Sequence, residues 1–265
     1  VKKIIGTIKF GSQKVLLHIE DEELAEFVQH EYIINKKITS LKSHKMQIYV
    51  LSDEHLTEYL VKEGGIPTRR IKLDINVSVN IKEFILQGLI ELCLSKKGFY
   101  FMHGSSYLRN KNLFVFLGPS GSGKTTILKL LNPKNIISND TVVLRRSNKK
   151  ILSLYRSPFD ARSVFKQSSK KISIKNIQFY KLTKNKINTI SELKFHEKIE
   201  LLIENMNLHM FAMQTNIASV HSLKIVCQKQ AVKNVLTLSN SSKIYNLSFN
   251  LDLSSGVFSN ISKHE

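Results

Sequence analysis

The 265-residue sequence has no tryptophan, only two cysteines and only four prolines. With eleven glycines, it carries too little Gly and Pro for a collagen-like or linker-dominated chain. Cys93 and Cys227 stand 134 positions apart inside apolar segments. That spacing suits neither a disulfide framework nor a metal site, so both read as buried thiols in a reducing compartment. No apolar run approaches about eighteen residues, so no membrane span is expected. The opening Val1-Lys2-Lys3-Ile4-Ile5-Gly6 passes at once into polar residues, without an apolar core or a cleavage site. A signal peptide is therefore not expected, and the expected location is cytoplasmic. A hydrophobic fraction of 42% with 23% charged residues places the chain in the globular class, at a length for one large or two small domains.

Acidic residues are scarce after the first sixty positions. Residues 1–60 carry 8 basic and 9 acidic side chains, whereas the remainder carries 32 basic against 12 acidic. Between Arg145 and Lys186 there are 13 basic residues and a single acid, Asp160. Such a stretch favours polyanions: nucleotide phosphates, nucleic acid or an acidic peptide. The alternative is a solvated lysine face in a chain rich in Lys, Ile and Asn.

Alternation over Val1–Phe10 and Lys14–His18 predicts two strands around Gly11-Ser12, and Asp21–His30 predicts a helix with acids in its first turn. Met46–Leu51 reads as a strand, and Ser52-Asp53-Glu54 as the start of another helix capped by Ser52. Gly64-Gly65-Ile66-Pro67 is a turn. The change in charge balance near this turn places a domain boundary there, giving a small α+β domain over 1–75 and a larger domain over 76–265. From Asn80 the apolar spacing is helical and closes at Lys96-Lys97-Gly98. Two apolar strands follow, Phe99–Met102 and Leu113–Leu117, separated by the polar turn Arg109-Asn110-Lys111-Asn112. Helices are expected over Thr125–Leu131, most of Glu192–Met213 and around Ile217–Asn234. Strands are expected over Asn135–Ser138, Ile177–Leu182 and Ile244–Leu251.

The most specific feature is Gly118-Pro119-Ser120-Gly121-Ser122-Gly123-Lys124-Thr125, followed by Thr126. It matches the phosphate-loop pattern G-x-x-x-x-G-K-[ST] at every fixed position, between an apolar strand and an amphipathic helix. The glycines let backbone N–H groups turn toward a β-phosphate. Lys124, in a solvent-facing anion site, is expected to reach β/γ oxygens, and the Thr125 hydroxyl to hold Mg²⁺. Gly118 to Thr126 are thus the expected nucleotide-binding residues, with ATP and Mg²⁺ as the ligands. Asp140, at the end of Ile136-Ile137-Ser138-Asn139-Asp140, is the only acid between Glu91 and Asp160. It is the candidate partner of the metal or of an attacking hydroxyl, or else a surface turn residue. His103 ends the strand that precedes the loop strand and is the candidate to reach the same site, or else a structural or solvated histidine.

Together these elements resemble the kinase domain of the HPr kinase/phosphorylase superfamily and its wider set of HPr-kinase-like proteins. That family has an apolar strand ending in His-Gly, about fifteen residues to a phosphate loop, and an acid pair at the next strand end. Here His103 precedes Gly118 by 15 residues, and Asn139-Asp140 stands at the acid-pair position. Arg156-Ser157-Pro158-Phe159-Asp160 resembles the family's short Pro-aromatic segment. The likeness covers roughly residues 80–255 and is most specific in the first sixty of them. It implies an α/β fold with an HPr-kinase C-terminal-domain-like P-loop kinase core and a smaller N-terminal α+β domain for partner or peptide recognition. It also implies transfer of the ATP γ-phosphoryl group to a serine of a small protein or peptide, with Asp140, His103 and Lys124 catalytic and Thr125 and Asp140 at the metal. A homo-oligomer is a weaker implication. Asn139 in place of an acid, and the absence of a Glu-Val-Arg signature, point to a divergent member, such as those of modified-peptide pathways. Competing readings are a small-molecule hydroxyl kinase, a nucleotide-gated nucleic-acid-binding protein and a degenerate kinase that only regulates a partner. Few aromatics interleave the basic run and no helix-turn-helix or zinc-finger pattern is found, which counts against nucleic acid.

Overall fold

The computed structural model describes residues 4–10, 13–32, 46–53, 57–63, 66–74, 78–147, 150–157, 159, 171–185, 187–214 and 221–249. They form a mixed α/β protein with three sheets and six α-helices. The chain divides into two compact units. One comprises Val1–Lys97, Tyr155–Lys171 and Phe211–Gln230, and the other Gly98–Leu154, Ile172–Met210 and Ala231–Glu265. The first therefore takes in the expected N-terminal segment, continues to Lys97 and adds two later segments.

In the first unit, β1 (Ile4–Phe10), β2 (Gln13–Ile19), β3 (Met46–Asp53), β4 (Thr57–Glu63) and β5 (Ile66–Asp74) form one sheet in the order β1-β2-β3-β5-β4. Helix α1 (Glu22–Glu31) starts where Asp21 accepts a hydrogen bond from the Leu24 N–H at 2.9 Å, an N-cap that satisfies one of the helix's unpaired donors. The expected helix from Ser52 is not there. Ser52 and Asp53 extend β3, paired in parallel with Leu73 and Asp74 of β5, and β4 follows. A Ser-Asp-Glu run is a local helix-start signal, but pairing to a strand twenty residues on overrides it. Helix α2 (Val79–Ser95) buries Ile85, Leu86, Leu89, Ile90 and Leu92. The Lys82 ammonium lies 2.6 Å from Asp21, with both side chains buried, so α2 is tied to the cap of α1.

The second unit holds the other two sheets. Strands β6 (Phe99–His103), β7 (Ser105–Arg109) and β8 (Asn112–Leu117) run consecutively. β7 is a strand where the sequence marked only the turn. It pairs antiparallel with β8 across Asn110 and Lys111, both of which have positive φ, as a tight two-residue hairpin requires. After β8 come α3 (Lys124–Lys129), a short 3-10 turn at Pro133–Asn135, and strands β9 (Ile136–Ser138), β10 (Thr141–Ser147), β11 (Lys150–Tyr155), β12 (Ile172–Ser173), β13 (Asn176–Lys184) and β14 (Thr189–Glu192). Helices α4 (Phe195–Glu204), α5 (Asn207–Gln214) and α6 (His221–Ser241) precede β15 (Lys243–Phe249).

One sheet has the order β14-β15-β13-β8-β7-β9, in which β15, β13 and β8 are parallel neighbours. Being covered on both faces, these central strands are apolar: Val115, Phe116, Leu117, Phe179, Tyr180, Ile244 and Leu247 are all buried. The other sheet, β12-β11-β10-β6, pairs His103 with Thr141. No helix among the described residues is long and apolar enough to cross a membrane.

Candidate functional site

The loop leaves β8 at its C-terminal end, beside the parallel strands β13 and β15. Three of its glycines have positive φ: Gly118 at 145°, Gly121 at 77° and Gly123 at 100°. Two are also required by close approach. A Cβ on Gly118 would meet the Ser122 Oγ at 2.9 Å, and one on Gly123 would meet the Phe249 ring at 2.5 Å. Among the described residues the backbone N–H groups of Ser120, Gly121, Gly123 and Lys124 have no protein acceptor. The Ser122 hydroxyl, out of contact with solvent, also has no partner. A curled loop with unpaired donors and an orphaned hydroxyl fits a polyanion such as a triphosphate. Helix α3 has only six residues, shorter than the Thr125–Leu131 expected but in the same place. The loop's own donors therefore dominate the site.

Lys124 departs from its expected position. It is 9% exposed, not solvent-facing, and its ammonium donates to the Gly118 and Pro119 carbonyls at 2.6 and 3.0 Å. Burial pulls its pKa below the ordinary lysine value, an effect partly opposed by the negative charge of Asp140. Thr125 is exposed and Thr126 half-buried on the following turn.

Strand pairing brings His103 and Asp140 together. β6 ends at His103 opposite Thr141, and the Gly104 N–H donates to the Asp140 carbonyl at 2.8 Å. The His103 Nδ1 lies 3.2 Å from Asp140 Oδ1, and the Thr141 hydroxyl donates to Oδ2 at 3.3 Å. The hydrogen bond from His103 holds the Asp140 carboxyl below the usual carboxylate value. Partial burial works against this, while the charges of His103 and Lys124 add to it. The Asp140 side chain is 66% exposed, so the carboxylate is open to an incoming group. His103, Asp140 and Lys124 therefore share one electrostatic neighbourhood, although they lie on three separate segments of the sequence. Asn139 is exposed. No group of three or more His, Cys, Asp or Glu among the described residues could hold a metal by itself. The donors present, one hydroxyl and one carboxylate, instead fit a Mg²⁺ that keeps waters and takes substrate phosphates.

The sequence reading passed over Asn205. This residue caps α4, is 5% exposed, and accepts from the Gly118 N–H through Oδ1 at 3.2 Å and from the His103 N–H through its carbonyl at 2.8 Å. Its position just past the end of an amphipathic helix was the available signal, but only the fold shows what it caps against.

Part of the basic stretch is used internally. The Arg145 guanidinium lies 5.0 Å from the centre of the Phe99 ring, and Arg156 is buried, which lowers its pKa. Lys171, Lys175 and Lys184 are exposed. Pro158, Asp160 and residues 161–170 lie outside the described residues, as do Lys149 and Lys186.

No protein-family model matches the chain, and no curated protein sequence matches it either.

Proposed function

We propose that the chain is an ATP-dependent phosphotransferase with a divergent HPr-kinase-like P-loop core. It moves the γ-phosphoryl group of Mg-ATP to a hydroxyl, with a serine of a small protein or peptide as the favoured acceptor and the cytoplasm as its place of action. The observation that carries this reading is the His103–Asp140 pair lying within charge range of Lys124 in the phosphate loop. Mg-ATP, when bound, supplies the reactive phosphoryl group and the charge of the metal. The N–H groups of Ser120, Gly121, Gly123 and Lys124 would hold phosphate oxygens. The Lys124 ammonium would exchange the Gly118 and Pro119 carbonyls for the same oxygens. The Thr125 hydroxyl and, through water, the Asp140 carboxylate would hold the metal. Asp140 is ionised at neutral pH, so it can accept a hydrogen bond from an acceptor hydroxyl and take its proton as that oxygen is phosphorylated. His103 keeps the carboxylate oriented through Nδ1. Phosphoryl transfer asks mainly for positioning and charge stabilisation, which this set of groups can provide.

The test is incubation of the full chain with γ-labelled ATP, Mg²⁺ and peptides encoded beside its gene. Label should pass to a peptide serine, and a folded Lys124→Ala chain should pass none. Full transfer by folded Lys124→Ala would overturn the reading. Salt-sensitive RNA or DNA binding without transfer would replace it with the nucleic-acid reading.

A further inference from the structure

Asn205 has no unused polar group. Its backbone N–H points to the Leu201 carbonyl at 3.3 Å, and its side-chain Nδ2 donates to the same carbonyl at 2.8 Å. Its Oδ1 accepts from the Gly118 N–H at 3.2 Å, and its backbone carbonyl accepts from the His103 N–H at 2.8 Å. The orientation of the amide is not arbitrary. Leu201 C=O can only accept and Gly118 N–H can only donate, so Nδ2 must face α4 and Oδ1 must face the loop.

The two segments that Asn205 joins are those that carry the candidate chemistry. Gly118 is the first residue of the phosphate loop, and its carbonyl receives the Lys124 ammonium at 2.6 Å. His103 holds Asp140. An isolated bridge between Met102 and Met206 seats the residue that follows Asn205 beside the end of β6. The end of α4 is thus stitched to β6 through backbone groups and to the loop through one amide oxygen. A backbone bond survives any substitution, whereas the amide oxygen belongs to the side chain alone.

We propose that Asn205 is a positioning residue that registers the phosphate loop, and with it Lys124, against the His103–Asp140 pair. The proposal deepens the phosphotransferase reading and rests on it for its catalytic consequence, but its structural content can be tested separately. Without the Oδ1 acceptor, the Gly118 N–H is left buried and unpaired, and among the described residues the loop entry keeps only the side-chain bonds from its own Lys124. His103 keeps its own bond to the Asn205 carbonyl, so the two halves of the site lose their common reference while each stays intact.

The experiment uses the full chain as wild type, Asn205→Ala and Asn205→Asp. Aspartate in its protonated form keeps an acceptor oxygen for Gly118 and offers an O–H to Leu201, so the exchange is read at a pH where it is protonated. Amide exchange at Gly118, read by NMR without nucleotide, should quicken about 10-fold or more in Asn205→Ala and stay near wild type in Asn205→Asp. The β8 amides from Leu113 to Phe116 should exchange as in wild type in both variants. ATP titrated calorimetrically with Mg²⁺ should bind Asn205→Ala about 10-fold more weakly. Transfer at saturating ATP should also fall in this variant, because restoring occupancy does not restore register. Protection lost equally in the Ala and Asp variants would mean that packing, not the acceptor oxygen, holds the loop, and would overturn the proposal. So would unchanged exchange, affinity and saturating turnover in Asn205→Ala. If wild type transfers no phosphate while Gly118 protection still follows the acceptor at 205, the loop anchor stands and the phosphotransferase reading fails.

Discussion

Substituting Gly123 by alanine tests the loop conformation without nucleotide. Two independent costs arise at this position. Gly123 has φ near 100°, a region that L-residues rarely adopt, so alanine there costs about 1–2 kcal/mol in backbone strain. The new methyl would also come within 2.5 Å of the Phe249 Cζ, and Phe249 is only 2% exposed. The ring cannot swing out to solvent without exposing apolar surface, and overpacking of this kind costs about 1–3 kcal/mol. Together the destabilisation should be about 2–5 kcal/mol. For a chain of this size that lowers the melting temperature by roughly 4–20 °C. The assay is thermal unfolding followed by circular dichroism in a double-mutant cycle with Phe249→Leu, which removes the ring atom in the clash. The steric part should be relieved in the double variant and the backbone part should remain, so the two substitutions should couple by about 1–3 kcal/mol. A Gly123→Ala chain as stable as wild type, or costs that simply add, would refute the packing of Phe249 against the third loop glycine.

Asp140→Asn should cut transfer by about 10²–10⁴-fold with ATP binding largely kept, and His103→Ala should cost less, with the two losses failing to multiply because the residues act as a unit; single-turnover transfer of label decides the order, and abolition by His103→Ala alone would make His103 the base. The Asp140 value is depressed in the folded protein, so the stability from its ionised form is present above the ordinary carboxylate value and is lost as pH falls through the lower folded value. Any acid limb of transfer should therefore lie below the ordinary carboxylate range and disappear in Asp140→Asn. An acid limb at or above that range would count against Asp140. In the first unit, Lys82→Met should destabilise by about 3–5 kcal/mol in urea unfolding, because it strands a buried Asp21 carboxylate, and Asp21→Asn should recover part of the loss. A Lys82→Met chain as stable as wild type would show that the pair holds nothing.

The place of the glycine loop between a strand and a helix was legible because its signals are local. Glycine spacing, the lysine and the flanking apolar strand and helix all fall between Leu113 and Lys129, and the observed β8 and α3 occupy those positions. The helices α1 and α2 were legible for the same reason, since the acids in the first turn of α1 and a closing Gly98 act within one turn of the helix end. The failures have a common source. Ser52-Asp53-Glu54 carries a helix-start pattern, yet hydrogen bonds to β5 make its first two residues strand. Ser105–Arg109 has little apolar alternation of its own and becomes a strand because β8 and β9 flank it.

The amino-acid sequence by itself determined the loop, its lysine and the presence of a single acid, Asp140, between the loop and Asp160. These depend on residue identity and short spacing. Only the tertiary structure decided that Asp140 meets His103, because antiparallel pairing of β6 with β10 sets that register across nearly forty residues. It also turned Lys124 inward onto its own loop, where the Gly118 and Pro119 carbonyls satisfy an ammonium that the sequence pattern would leave in water. Asn205 shows the same division. Its helix-end position can be read locally, but the donors to its side-chain oxygen and its backbone carbonyl lie in segments 87 and about 100 residues away. A hydrogen bond depends on where two chains meet in space, and residue spacing along one chain does not encode that meeting.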